Sequence, residues 1–187
     1  MTRARDALSM HHMAALATVA AAFGVVALFN QTLSDISRSL FGFYGAMLFG
    51  GLFQTPGILA YALIQRRWVA FAAQNLFGIA QLALGNPLGL LVLTFTFAEA
   101  VAQELVLHQV PRRLAGDWRI WAAAGVASSF GAQIPNYILF GLYEMAWWAT
   151  ILPIVVVGIP SSVVFPVAIC LAIRRLLPPG IRDRLAG

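Results

Sequence analysis

The stretch Gln81–Glu104, QLALGNPLGLLVLTFTFAEAVAQE, decides how the chain is read. Gly85-Asn86-Pro87 forms a sharp turn between two apolar runs, so the runs are consecutive antiparallel helices. The second run carries two carboxylates, Glu99 and Glu104. Acidic side chains in an apolar run of membrane length are rare and costly, which makes them functional candidates.

The rest of the sequence supports a bilayer setting. Of the 187 residues, 60% are hydrophobic and only 10% charged, with a mean hydropathy of +0.82. Soluble domains carry roughly 25% charged residues, so an aqueous fold is excluded. One span needs about 20 apolar residues. Six segments qualify: His11–Phe29, Tyr44–Ile64, Trp68–Leu84, Leu88–Leu107, Ile120–Phe140 and Trp147–Ile173. The expected fold class is therefore an all-α integral membrane protein of six transmembrane helices, residues 1–187 forming one domain. Asn30–Phe43 reads as a polar outer connection and Val110–Arg119 as a basic inner one. Pro153, Pro160 and Pro166 should kink the last helix. The basic start MTRARDALSM precedes an apolar run that reads as a retained first helix.

The arginines set the orientation. Arg3, Arg5, Arg66, Arg67, Arg112, Arg113, Arg119, Arg174, Arg175, Arg182 and Arg184 fall on one side of the six-helix scheme, and Arg38 falls on the other. Cytoplasmic loops are enriched in Lys and Arg, so both termini are placed in the cytoplasm. The net charge of +5 thus reads as topology, and nucleic acid is rejected as a partner. Trp68, Trp118 and Trp121 read as inner-interface residues, Trp147 and Trp148 as outer ones.

Three helices carry polar residues at helical spacing: Gln74, Gly78 and Gln81; Thr96, Glu99 and Gln103; Ser129, Gln133 and Asn136. A lipid-facing stripe of this kind would leave polar groups unsatisfied, so the three face inward. Two readings stand: the lining of a polar pocket, or interhelical hydrogen bonds worth about 1 kcal/mol each. Glu99 and Glu104 lie about 140° apart around a helix, which is unsuited to a paired-carboxylate catalytic site. Glu99 lies roughly 16 Å below the turn at 1.5 Å per residue, and Glu104 lies nearer the cytoplasm. With no lysine in the chain and no arginine in a span core, a cationic or hydrogen-bond-donating ligand is one partner for such a carboxylate. A backbone carbonyl or a Gln is the other. On the first helix, Ala14, Thr18 and Ala22 form one small-residue row, with Ala17 and Ala21 on the next; such faces admit close helix approach.

Other chemistries lack their residues. There is no GxxxxGK[ST] phosphate loop. His11, His12 and His108 have no metal-ligand spacing. Ser128-Ser129 and Ser161-Ser162 lack an activating His, and Cys170 sits alone in an apolar run. No catalytic residue, metal or cofactor is expected of this chain.

The order of a small-residue first helix, an outer loop, a Leu-Gly-Asn-Pro-x-Gly turn, a polar fourth helix ending Gln-Glu-Leu-Val, and Ala124-Gly125-Val126-Ala127-Ser128-Ser129 in the fifth helix resembles the substrate-binding S component of energy-coupling factor (ECF) vitamin transporters. It is most similar to the YkoE type, associated with thiamine and hydroxymethylpyrimidine. The resemblance implies a multi-pass protein of the bacterial plasma membrane. It implies partnership with a transmembrane T subunit and two cytoplasmic ATPase subunits that use ATP, and capture of a small heterocyclic vitamin or precursor from outside. Ala17 and Ala21 then correspond to the family's AxxxA contact with the T subunit, with Ala14 and Thr18 beside them. Asn86, Glu104 and Asn136 fall where the type carries polar or acidic residues. The chain departs from it with Gln74 and Gln81 where Glu is expected, and with Glu99 where a neutral residue is usual. The expected substrate-binding set is Gln74, Gln81, Asn86, Glu99, Gln103, Glu104, Gln133, Asn136, Tyr137 and Trp147, beneath an outer lid at Asn30–Phe43. The residues also leave open a stand-alone proton-coupled transporter or intramembrane enzyme using Glu99, and a ligand-free assembly subunit.

Overall fold

A computed structural model describes residues 8–111 and 114–186. Arg3, Arg5, Arg112 and Arg113 of the basic pattern lie outside them, as does the Arg182 side chain. Among the described residues the secondary structure is helical and contains no strand. The helices are α1 Met10–Phe41, α2 Phe43–Leu48, α3 Gly50–Ile64, α4 Val69–Ala83, α5 Leu91–Leu107, α6 Trp118–Leu139, α7 Trp147–Pro153, α8 Ile159–Leu176 and α9 Pro179–Ala186. A π-helical turn, Ile154–Gly158, joins α7 to α8. Three segments are long and apolar enough to cross a membrane: Met10–Phe41, Phe43–Ile64 and Trp147–Leu176; Val69–Ala83 is apolar but shorter.

α3 is the axis of the bundle. It packs against α1, α4, α5, α6 and α8, and every residue from Gln54 to Ile64 is buried. Around it, α1 packs on α4, α4 on α5, α5 on α6, and α6 on α8. Small residues set the close approaches. A Cβ on Gly125 would collide with the Ser162 carbonyl of α8, and one on Gly78 with the Thr96 hydroxyl of α5. Any larger residue at these two positions would push neighbouring helices apart.

The structure changes two sequence expectations. Asn30–Phe43 is no loop: α1 runs unbroken to Phe41 and stops at Gly42, whose φ of +60° lies outside helical space. Several of its polar residues bond along the helix itself, while Asn30 Nδ2 donates outward to Phe49 O and Ser34 Oγ has no partner among the described residues. Thr32 donates to Leu28 O, Gln31 to Asp35, and Ser39 to Asp35 O. Trp121 is no interface residue either. It is fully buried, and its indole N–H donates to Ala115 O at 3.0 Å. The other four tryptophans are exposed.

The ends of the bundle differ in character. The α3–α4 turn with Arg66 and Arg67, the Gly116–Arg119 link and the end of α8 gather at one end. There Arg174 donates to Gly116 O and lies over the Trp121 ring. The opposite end holds Gly42, the Gly85-Asn86-Pro87 turn and Gly141.

Candidate functional site

A cavity of 170 Å³ opens inside the bundle at the end opposite all the described arginines but Arg38. The helical spacing of the three polar stripes explains it. Gln81 and the turn residue Asn86 enter from α4 and its end; Thr96 and Glu99 enter from α5; Ser129, Gln133 and Asn136 enter from α6. Phe53, Phe77 and Phe95 supply apolar walls. Met47 of α2 and Gly158 of the π turn close one side, and Gln31 lies on the part of α1 that was expected to be a loop.

Glu99 is the one acidic residue in the lining. It is 5% exposed, and its Oε2 accepts a hydrogen bond from Gln74 Nε2 at 2.7 Å. No Arg or His lines the cavity among the described residues. Gln74 is held in turn by α3. Pro56 cannot donate within that helix, and next to it the Gln74 amide clasps the backbone. Its Oε1 accepts from Gly57 N–H at 3.1 Å, and its Nε2 donates to Phe53 O at 2.8 Å. One amide therefore satisfies two groups of α3 and fixes the carboxylate. At the mouth, Asn86 Nδ2 donates to Gln81 Oε1 at 2.9 Å, and Asn86 Oδ1 accepts from Leu88 N–H. Asn136 Nδ2 donates to Gln133 Oε1 at 3.3 Å.

Of the sequence-predicted set, the cavity brings together Gln81, Asn86, Glu99, Gln133 and Asn136. The others stand elsewhere. Gln74 lies behind Glu99. Gln103 is fully buried and donates to Gln54 O at 2.8 Å and Ser128 Oγ at 3.1 Å, tying α5 to α3 and α6. Tyr137 shares a 3.0 Å hydrogen bond with Thr150, and Trp147 is 71% exposed. The first two stripes thus divide by depth: Gln81, Thr96 and Glu99 face the cavity, while Gln74 and Gln103 bind neighbouring helices; the third stripe, Ser129, Gln133 and Asn136, faces the cavity throughout.

Glu104 lies toward the basic end, where it caps a helix. Its Oε1 accepts from Trp68 N–H at 2.6 Å, and its Oε2 from Phe71 N–H at 3.3 Å. Trp68 is the N-cap residue of α4 and contributes no capping side chain. A carboxylate from α5 supplies what a local Ser or Asp would supply, and its charge suits the positive end of the helix dipole.

Sequence reasoning missed Gln54, Phe53, Phe77, Phe95 and Met47 in the lining. Gln54 carried the same signal as the stripes, a polar residue in an apolar run. The small residues Ala14, Ala17, Thr18 and Ala21 all lie on the exposed face of α1. No group of three or more His, Cys, Asp or Glu comes together among the described residues.

The fold is a helical bundle with three segments long and apolar enough to cross a membrane, built around a part-polar cavity. The chain belongs to the family described as the permease component of the ABC-type cobalt transport system, whose model matches residues 11–131. The chain also shares its fold with a solved S component of an ECF transporter, with a TM-score of 0.83 and 17% identity over 89% of this chain and 84% of that one. No curated protein matches it.

Proposed function

We propose that the chain is the substrate-capture S subunit of an ECF-type importer. It crosses the bacterial plasma membrane six times, with α2 and α3 acting as one span and α7 and α8 as another, and both termini are cytoplasmic. The observation that carries the reading is the cavity itself, a part-polar, part-aromatic chamber with one buried carboxylate. It lies at the bundle end remote from all the described arginines but Arg38, which is the outer end under the positive-inside rule. Import is driven by ATP hydrolysis in two partner ATPase subunits and transmitted through a T subunit. The exposed Ala14, Ala17, Thr18 and Ala21 face is the contact surface offered to that T subunit.

The ligand is a small nitrogen heterocycle. Cavities of about 150 Å³ accept one benzene-sized ring, so 170 Å³ suits a single substituted ring of the hydroxymethylpyrimidine kind better than the two rings of thiamine. Phe53, Phe77 and Phe95 supply apolar surface to the ring. Glu99 accepts hydrogen bonds from an amino or protonated ring-nitrogen group, and Asn86, Gln133 and Asn136 bond its polar substituents. The family's description names cobalt, but the lining offers one carboxylate, amides, hydroxyls and the Met47 thioether. Imidazole and thiolate, the donors that best hold first-row transition ions, are not in it.

Calorimetry on the purified chain tests this with hydroxymethylpyrimidine, thiamine and Co²⁺. We expect the pyrimidine to bind without turnover, and the T and ATPase subunits to copurify when co-expressed. Tight Co²⁺ binding with no pyrimidine binding overturns the ligand assignment. Proton-driven uptake by the chain alone overturns the subunit assignment, and absence of any ligand favours an assembly role.

A further inference from the structure

Two observations away from the cavity meet at the basic end. The first is backbone strain. The α3–α4 turn holds Gln65 at φ +55° and Trp68 at φ +65°. Left-handed backbone is uncommon for any non-glycine residue and an outlier for a bulky one; it persists only where the surroundings enforce it. Here the Glu104 carboxylate holds Trp68 N–H. The result is to throw the Trp68 ring outward. It is 60% exposed, with its ring centroid 6.0 Å from that of Phe71 and 5.6 Å from that of His108.

The second observation is the groove this ring completes. A recess of 330 Å³ runs down the outer wall between α4 and α5. Phe71, Val101 and Leu105 give it apolar sides, while Trp68, His108 and Gln109 form its head above the buried Glu104. Phe71 packs edge-on against Phe97 at 5.7 Å. Phe97 borders a second shallow recess with Ile79 and Leu93, so the apolar track continues along the α4–α5 seam. The polarity is graded along the groove's length, as it is along a lipid. Arg66 and Arg67 immediately precede Trp68 in the α3–α4 turn. Arg67 is exposed and makes no hydrogen bond or ion pair among the described residues. Glu104 already accepts two backbone N–H groups and offers little to an amine headgroup.

We propose that this groove is a binding site for an anionic phospholipid. One acyl chain lies along Phe71, Val101 and Leu105. Trp68 packs at the glycerol level, where tryptophan favours the membrane interface. Arg67 and His108, whose buried Nδ1 lies 3.7 Å from Glu104 Oε1 so that Nε2 is the ring nitrogen left for the headgroup, meet the phosphate, as basic residues between helices do at the interface. The strained turn has a purpose on this reading: a right-handed Trp68 would leave the head of the groove open. The site is separate from the cavity and stands whatever ligand the cavity takes.

Native mass spectrometry of the full chain, titrated with phosphatidylglycerol or with phosphatidylcholine of the same acyl chains, tests the proposal. We expect one phosphatidylglycerol retained several-fold better than phosphatidylcholine. Arg67→Gln should remove that preference. Leu105→Trp, at a 63% exposed position where added bulk fills the groove without entering the core, should remove the bound lipid. Equal retention of both lipids by the wild-type chain overturns the proposal. So does undiminished retention by Leu105→Trp. Loss of T-subunit copurification in both variants with lipid retention unchanged would overturn it too, assigning the groove to a protein partner.

Discussion

Replacing Glu104 separates a structural carboxylate from a ligand-binding one. Glu104→Ala removes the acceptor of two backbone N–H groups, Trp68 at 2.6 Å and Phe71 at 3.3 Å. Each buried donor left unpaired costs about 1–3 kcal/mol. The second bond is long and the adjoining groove lies near the interface, so the total falls toward the lower end, about 3 kcal/mol. For a chain of this size each kcal/mol moves Tm by about 2–4 °C, so the drop should be about 6–12 °C. Glu104→Gln keeps one acceptor oxygen for Trp68, leaves the weakly bonded Phe71 N–H facing an NH2 group at about 1 kcal/mol, and gives up the helix-dipole term, about 1 kcal/mol; the total of about 2 kcal/mol is about 4–8 °C. Thermal unfolding in detergent, followed by tryptophan fluorescence, should therefore rank wild type above Glu104→Gln and Glu104→Ala last. Below each variant's Tm, ligand affinity measured by calorimetry should stay within about twofold of wild type, since the cavity lies at the other end of the bundle. A Glu104→Gln protein with unchanged Tm and lost ligand affinity would refute the capping argument and place this carboxylate on the substrate's path.

Glu99→Gln should behave in the opposite way. Gln74 can still donate to the new amide oxygen, so folding is kept, while the loss of a charge-assisted bond of about 1.5–3 kcal/mol should weaken pyrimidine binding tenfold or more by calorimetry. Gly125→Ala forces α6 away from the Ser162 carbonyl; overpacking of this kind costs about 1–3 kcal/mol and should appear as a lowered Tm. Ala17→Leu with Ala21→Leu changes only exposed positions of α1. It should leave ligand binding intact and abolish copurification of the T subunit; retained copurification would remove the stripe from the interface.

The polar stripes were legible because one period, 3.6 residues, governs both the sequence pattern and the face a helix buries. Gln81, Glu99 and Gln133 could therefore be set facing one another before any coordinates. Depth along the stripe was not legible. Gln74 and Gln103 differ from Gln81 and Glu99 only in what α3 presents at their level, and α3 is buried on all sides and shows no periodicity to read. The role of Glu104 was hidden for another reason. Its partners are backbone N–H groups 36 and 33 residues earlier, and backbone donors leave no mark in a sequence. The extension of α1 misled because its polar residues resemble a loop, yet Gln31, Thr32 and Ser39 return hydrogen bonds to their own helix.

That extension has a mechanical consequence. α1 has 32 residues, about 48 Å at 1.5 Å per residue, well beyond the roughly 30 Å hydrocarbon layer. The rod carries the small-residue face near its start and Gln31 at the rim of the cavity. Gln31 stands about 15 Å along the axis from Ala21. A 10° pivot at that small-residue face would swing the rim by roughly 2–3 Å on this lever arm, about the breadth of a water molecule. A subunit gripping the outside of α1 would therefore have its hand on the cavity's mouth without touching it.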